Sequence, residues 1–332
     1  MGLRWKGLKK YQFNYCLMEY DVLIKQTQEI LDNHRSEWED RFISYLSQTV
    51  RNQQHILNLR KAFHKWANLS VYFTLGRAKD NSGLFDLRYE GQSVGSVSVT
   101  KNGVRLIVDD DQYKNNTNER IFTGYPKVVT AGGYDWAKDP KARLFRSYFK
   151  SNPGKQLHPE HKFENLLLKE FSKNSSTAKS FVRIQPVTLG KDLLFQMPTP
   201  LSASKKEIKY SKGHGGIDIL ARRGGHLVIF ELKDEYKKEE GPEKVMSQAI
   251  AYATFITELC KTKAANDFWN ICGIHASNKK KTLYVSILMP DPGTSEVPFQ
   301  GEEIKVPGSD FVFKLHYMFY DKETVTITRS SL

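Results

Sequence analysis

The segment from residue 215 to 235 carries residues whose types and spacing could do chemistry. It reads GGIDILARRGGHLVIFELKDE, with two strand-like runs on either side of the glycine pair at 224–225. A two-residue turn at that pair predicts a β-hairpin. In that register Asp218 lies directly opposite Glu231, and the alternation of side chains along a strand puts Lys233 on the same face.

Two carboxylates this close repel each other unless one is protonated or a cation lies between them. Mg²⁺ and Mn²⁺ prefer oxygen ligands in octahedral geometry, so either ion would suit Asp218 and Glu231. The same pattern allows a structural interpretation, in which Lys233 forms a buried ion pair with one carboxylate at the end of a strand. These residues alone leave both interpretations open.

A helix predicted over 158–171 offers a third carboxylate. Glu164 shares the apolar face of this helix with Leu167 and Phe171, at spacings of three and seven residues. An inward-facing glutamate needs a polar partner. Alternatively, Glu164 is a boundary residue that reaches solvent, and Glu160 one turn earlier is a rival for the same role.

A second predicted helix, over 243–259, has polar side chains on its apolar stripe. Gln248 and Tyr252 are neighbours at i and i+4 and lie between Val245 and Ile256. An amide and a phenol in such positions favour a site beneath the helix. Ordinary hydrogen bonding within the core is the alternative.

Taken in order, these residues resemble the motifs of the PD-(D/E)xK phosphodiesterase superfamily. That superfamily includes type II restriction endonucleases, archaeal Holliday-junction resolvases and the RecB and lambda-type exonucleases. The matching positions are Glu164, Asp218, Glu231-Leu232-Lys233 and Gln248-x-x-x-Tyr252, the last of which resembles the RecB-like and lambda-exonuclease-like branch. Ile217 stands where the motif name has proline. The resemblance covers about 130 residues, says nothing about residues 1–150, and implies a helix, a mixed sheet of three or four strands and a second helix.

The resemblance implies a metal-dependent mechanism. Asp218 and Glu231 would bind Mg²⁺ or Mn²⁺, with the Leu232 carbonyl as a further ligand. Lys233 would position or activate the attacking water and offset charge in the transition state. Glu164 would orient a metal-bound water or help to hold a second ion.

The substrate would be held by residues around this centre. By the same resemblance, Gln248 and Tyr252 would contact the phosphate backbone or brace the site. Lys212 belongs to a lysine-rich stretch (with Lys205, Lys206 and Lys209) that leads into the Asp218 strand. Such lysines favour phosphate contacts, although solvated loop charge is the alternative.

The elements that must position these residues fall into two groups. Residues 14–66 read as mostly helical, and residues 70–110 as an antiparallel meander of about four strands. The stretch 151–159 is rich in Pro, Gly and polar residues, so we expect two domains, 1–150 and 151–332. The fold class is α/β: a restriction-endonuclease-like mixed sheet flanked by helices, preceded by an N-terminal α+β domain.

Composition narrows the class of protein. The chain has 332 residues, of which 39% are hydrophobic and 26% charged, and a formal net charge of +13. This basic balance favours a polyanionic partner, nucleic acid first. The longest apolar run is far shorter than the roughly 20 residues that cross a bilayer, so no membrane association is expected. Three cysteines without metal-ligand spacing favour a reducing cytoplasm.

The expected function is a Mg²⁺-dependent nuclease. DNA is favoured over RNA as substrate and endonuclease over exonuclease, and the biological role suggested by analogy is prokaryotic restriction or antiphage defence. The N-terminal domain would serve targeting, sensing or assembly, through a homo-oligomer or a partner protein. The alternatives are an RNase and a non-catalytic nucleic-acid-binding or scaffold protein with a nuclease-like fold.

Overall fold

The computed structural model describes a large part of the chain. The described residues are 5–63, 69–151, 163–165, 167–168, 171, 184–190, 193–204, 207–233, 241–275, 279–291, 302–321 and 327–331, with side chains described for all but 5–18, 204 and 213–214. Helices and mixed sheets are both present, which confirms the α/β class.

Seven helices are described. They are α1 (Trp5–Asn33), α2 (Arg35–Lys61), α3 (Asp110–Asn116), α4 (Pro140–Ser151), α5 (the described positions within 163–171), α6 (Pro242–Leu259) and α7 (Ala265–Ile271). In α2 the spacing of Trp38, Phe42 and Leu46 buries one stripe of the helix, as the periodicity predicts. Pro242 stands in the first turn of α6, where its missing N–H leaves no helical hydrogen bond unmade.

Seventeen strands accompany the helices. They are β1 (Leu69–Thr74), β2 (Ala78–Lys79), β3 (Ser82–Tyr89), β4 (Gln92–Thr100), β5 (Gly103–Val108), β6 (Gly132–Asp135), β7 (Ile184–Pro186), β8 (Thr188–Leu189), β9 (Leu193–Gln196), β10 (Pro198–Ser204), β11 (Glu207–Gly216), β12 (Ile219–Arg223), β13 (His226–Leu232), β14 (Thr282–Pro290), β15 (Glu302–Lys305), β16 (Val312–Tyr320) and β17 (Ile327–Ser330).

The first sheet, here called the N-terminal sheet, has the strand order β6-β5-β4-β3-β1-β9-β8, with β2 paired to β3. The meander from β1 to β5 is antiparallel, as its alternating runs and turn residues predict. Strand β9 then pairs with β1 in parallel, between Tyr72 and Leu194 and onward to Thr74 and Gln196. Strand pairing therefore crosses the expected domain boundary at residue 151.

The second sheet, here called the C-terminal sheet, has the order β15-β16-β14-β13-β12-β7, with β17 paired to β16. Strands β13, β14 and β16 are mutually parallel, and β12 and β13 form an antiparallel hairpin. Helix α6 lies in the chain between β13 and β14. A third, two-stranded sheet, here called the ribbon, consists of β10 and β11.

The main hydrophobic core also crosses residue 151. The ring of Phe255 in α6 packs against two rings of α2, with its centroid 5.6 Å from that of Trp38 and 5.0 Å from that of Phe42. The Tyr20 hydroxyl in α1 lies 3.3 Å from the Tyr317 hydroxyl in β16. A smaller core lies on the other face of the C-terminal sheet, beneath α5. Among the described helices, none is both long and apolar enough to cross a membrane.

Candidate active site

The hairpin of β12 and β13 has the register that the sequence predicts. Its pairs run from Ile219 opposite Phe230 to Arg223 opposite His226. The turn closes at Gly224, whose φ of +61° is a conformation that glycine adopts without strain. The pairing ends at Ile219 and Phe230, and Asp218 directly precedes the first of these residues as Glu231 directly follows the second.

A hydrogen bond fixes the Asp218 side chain against the partner strand. Its Oδ2 accepts from the backbone N–H of Leu232 at 2.8 Å. Asp218 is half-buried, whereas Glu231 is only 5% exposed. The carboxylate of Asp218 is thus held beside the Glu231-Leu232-Lys233 segment.

Lys233 and Glu231 form an ion pair within this group of residues, here called the Asp218 cluster (Asp218, Glu231 and Lys233). The Lys233 Nζ lies 2.8 Å from Glu231 Oε1, and the lysine side chain retains 19% of its exposure. Strand β13 ends at Leu232, and the next N–H, that of Lys233, donates to the Leu288 carbonyl of β14 at 2.9 Å. The ammonium therefore sits at the strand end, next to a buried carboxylate but still open to solvent.

Tyr252 of α6 lies close enough to Glu231 and Asp218 for their charges to change its pKa. Burial, and then the charges of Glu231 and Asp218, raise the pKa of Tyr252, so its hydroxyl stays protonated. Gln248, one turn earlier on α6, is 5% exposed. The predicted pair thus lies buried in α6, and Tyr252 is placed beside the acidic cluster.

Glu164 is buried in a separate set of contacts. Its Oε1 accepts from the Tyr72 hydroxyl and from Arg88 Nη1, each at 3.4 Å, and both donors belong to the N-terminal sheet. The neighbouring Phe163 stacks on Tyr320 at 3.9 Å between ring centroids. Since the Tyr320 hydroxyl donates to the Lys233 carbonyl at 3.1 Å, α5 is joined to the Lys233 end of the hairpin.

Lys212 lies on the ribbon beside α2. Its Nζ is 3.1 Å from Glu37 Oε2, with 76% of the lysine side chain exposed. The ribbon is anchored there because Tyr210 stacks on His34 at 4.0 Å. Lys209 of the ribbon is exposed, whereas the residues at 205–206 lie outside the described part.

The chemistry of the donor set around Asp218 can be compared with the ligands that Mg²⁺ prefers. Within the described ranges no group of three or more His, Cys, Asp and Glu side chains is arranged to hold a metal. Mg²⁺ does not need such a cage, because it keeps several waters and binds through one or two carboxylates together with substrate phosphates. Two adjacent carboxylates therefore suit Mg²⁺, whereas a structural zinc site has four protein ligands, most often Cys and His.

Sequence reasoning missed Tyr72 and Arg88, because residues 1–150 read as a separate domain. A signal was present in β3, where Asp86 and Arg88 occupy alternate positions of a strand whose neighbours are apolar. Charged side chains on one face of a half-buried strand need partners.

Comparisons with protein-family models, curated proteins and solved structures find no match for the chain.

Proposed function

We propose that the protein is a Mg²⁺-dependent nuclease that hydrolyses phosphodiester bonds in DNA, with a site of the PD-(D/E)xK type. One observation carries the proposal: the hairpin register and the Leu232 N–H bond hold Asp218 beside Glu231 and Lys233. Two acids and an ammonium at one strand end are the groups that metal-assisted phosphodiester hydrolysis needs.

The order of elements around the cluster supports a restriction-endonuclease-like core. Helix α5 precedes the β12–β13 hairpin, and α6 precedes β14, which pairs in parallel with β13. This order of helix, hairpin, helix and parallel strand is the one that the resembled superfamily implies. The cluster lies at the end of β13, an edge where ligands commonly bind in α/β sheets.

Each residue of the cluster then has a role. Asp218 and Glu231 would hold the ion through carboxylate oxygens, with the Leu232 carbonyl as a further ligand. When bound, Mg²⁺ supplies a Lewis acid that polarises the phosphate and lowers the pKa of water. The Lys233 ammonium orients the attacking water and offsets the negative charge that develops on the phosphate oxygens.

The surrounding residues complete the site. Glu164 would orient water from the α5 side, and Gln248 and Tyr252 would brace the cluster from α6. The basic surface of the ribbon, which includes Lys209 and Lys212, would follow the phosphate backbone without reading sequence. In this proposal the chain acts in the cytoplasm in restriction or antiphage defence, as a homo-oligomer or with a partner held by its N-terminal half.

A second function is favoured by one contact. The Glu231–Lys233 ion pair at 2.8 Å is what a structural pair at a strand end would form. If that is its whole purpose, the chain is a nucleic-acid-binding scaffold without turnover. An RNase is a variant of the first proposal, because phosphate contacts alone do not separate RNA from DNA.

Incubation with supercoiled plasmid, linear DNA and RNA, in Mg²⁺, Mn²⁺ or EDTA, tests these functions together. We expect the wild type to cut DNA only with added metal, and nicked circles to precede short products if it is an endonuclease. Asp218→Asn and Lys233→Met should be inactive, whereas Lys101→Met, which changes an exposed lysine in the turn between β4 and β5, is the matched control. Binding without metal-dependent cutting of any substrate would establish the scaffold instead.

A further inference from the structure

A buried polar network joins the N-terminal sheet to α5. Its centre is the Arg88 guanidinium of β3, which is 9% exposed. Arg88 Nη1 donates to Glu164 Oε1 at 3.4 Å, and the Tyr72 hydroxyl of β1 donates to the same oxygen at 3.4 Å. Two adjacent strands of one sheet therefore contact a single oxygen of a single carboxylate.

Other partners fix the Arg88 guanidinium before it reaches Glu164. Its Nε donates to Asp86 Oδ2 at 2.7 Å and its Nη2 to Gln196 Oε1 at 3.0 Å. The guanidinium carbon also lies 4.0 Å above the Tyr72 ring, a cation–π distance. A planar guanidinium with these contacts has one orientation, so its third nitrogen, Nη1, presents its N–H groups to the carboxylate in a fixed direction.

Both donors keep their protons. Burial alone would lower the pKa of Arg88, but the charges of Asp86 and Glu164 outweigh it and raise that pKa. Burial, and then the charge of Glu164, raise the pKa of Tyr72. The Glu164 carboxylate therefore meets a permanent cation and a permanent hydroxyl donor.

The network reaches the proposed site through α5. Phe163, adjacent to Glu164, stacks on Tyr320, and the Tyr320 hydroxyl donates to the carbonyl of Lys233. We propose that Arg88 and Tyr72 are positioning residues, which set the orientation of the Glu164 carboxylate and make the N-terminal sheet part of the cleavage machinery. This inference rests on the proposed nuclease function and names residues that its motif does not contain.

The test measures cleavage by the full-length chain as a function of DNA and Mg²⁺ concentrations. Tyr72→Phe removes one hydroxyl and keeps the ring, and Arg88→Lys keeps the charge but loses the planar fork. Outer-shell partners of this kind change activity or metal affinity by roughly 10- to 100-fold. We expect a loss in that range for Arg88→Lys and a smaller one for Tyr72→Phe, in kcat or in the half-saturating Mg²⁺ concentration, with the KM for DNA unchanged.

Double variants separate positioning from mere stability. If Arg88 and Tyr72 act through Glu164, either change should have almost no further effect in Glu164→Gln, since interacting residues are not additive. Losses that multiply in the double variants would overturn the inference. So would wild-type cleavage by Glu164→Gln, or by both Tyr72→Phe and Arg88→Lys.

Two controls complete the design. Arg105→Lys changes an arginine of the same sheet that bonds to the Gly133 carbonyl, away from Glu164, and should cleave like the wild type. Asp218→Ala tests the proposed function by itself. If Asp218→Ala retains activity, the nuclease proposal fails; if it is inactive while Arg88→Lys and Tyr72→Phe match the wild type, the positioning role alone fails.

Discussion

The cluster around Asp218 and the network around Glu164 are assembled in opposite ways. The bonds that hold the Asp218 cluster join residues 14 and 2 positions apart in the chain, from Asp218 to Leu232 and from Lys233 to Glu231. The bonds that hold Glu164 join residues 92 and 76 positions apart, to Tyr72 and Arg88. One cluster is a property of a single hairpin, whereas the other depends on how the two halves of the chain pack.

A single segment of the chain determines the contacts of Asp218, whereas the whole fold determines the contacts of Glu164. A two-residue turn and the alternation of side chains determine which residues of a hairpin face each other. A contact between β3 and α5 instead requires the N-terminal sheet, α5 and the C-terminal sheet to be in place together. Removal of one half of the chain should therefore destabilise the whole fold. Substitutions in the β12–β13 hairpin should instead affect only the site that the hairpin forms.

Removal of the N-terminal half should have the largest effect. A fragment of residues 152–332 loses the strand that pairs with β9 and the α2 rings that pack on Phe255. It also leaves the buried Glu258 carboxylate without Arg35, whose Nη2 lies 3.2 Å away. We expect no cooperative thermal transition and no cleavage, measured by circular dichroism and by the plasmid assay. A fragment that melts sharply and cuts DNA would show that residues 152–332 form an independent domain.

The next largest effect should come from the hairpin cluster itself. Asp218→Ala removes one of the two proposed metal-binding carboxylates, so we expect a loss of turnover of roughly 10²- to 10³-fold. Glu164→Ala should reduce turnover less, because Glu164 would orient water and is not one of the two paired acids. Single-turnover cleavage with saturating DNA measures both, and equal melting temperatures confirm that the fold survives. A greater loss for Glu164→Ala would reverse the order of importance of the two clusters.

Most of the β12–β13 hairpin was predictable from the sequence, but the contacts between distant parts of the chain were less predictable. The register that brings Asp218 to Glu231 follows from one turn, and the apolar stripes predict α2 and α6. The pairing of β9 with β1 was not predictable, because a parallel pair between distant strands leaves no periodic signal in either strand. Arg88 shows the same limit: its charge in a half-buried strand signals a partner, but nothing near it in the chain identifies Glu164.

Glu302 is a buried carboxylate that can be compared with Glu231 to measure how a neighbouring cation changes stability. Both oxygens of Glu302 are buried without a hydrogen-bond partner in the described structure, and burial raises the pKa of Glu302 to about 7. Because the folded state holds this proton more tightly than the unfolded chain, stability should fall as the pH rises from about 4.5 to 7. Glu231, by contrast, has the Lys233 ammonium 2.8 Å away.

Glu302→Gln replaces the charged group with a neutral one of similar shape. At pH 8 we expect the variant to be more stable than the wild type by about 2 kcal/mol, and at pH 4 about equal to it. Urea unfolding at the two pH values measures the difference. The neighbouring Glu303→Gln, an exposed residue paired with Lys314, is the matched control and should change stability little at either pH. An equal effect of Glu302→Gln at both pH values would exclude the titration.

The smallest effect tests whether the hairpin register depends on its turn. Gly224 has a φ of +61°, and an added Cβ would meet nothing within 4 Å, so Gly224→Ala strains the backbone without a clash. We expect a destabilisation of about 1 kcal/mol by urea unfolding, because an L-residue is disfavoured in that conformation. Cleavage by the folded variant should be unchanged, since the five strand pairs from Ile219–Phe230 to Arg223–His226 remain.

Gly225→Ala is the control, since Gly225 does not have the positive φ that Gly224 has. A loss of turnover in Gly224→Ala beyond its loss of stability would mean that the turn, and not the strand pairing, holds Asp218 opposite Glu231.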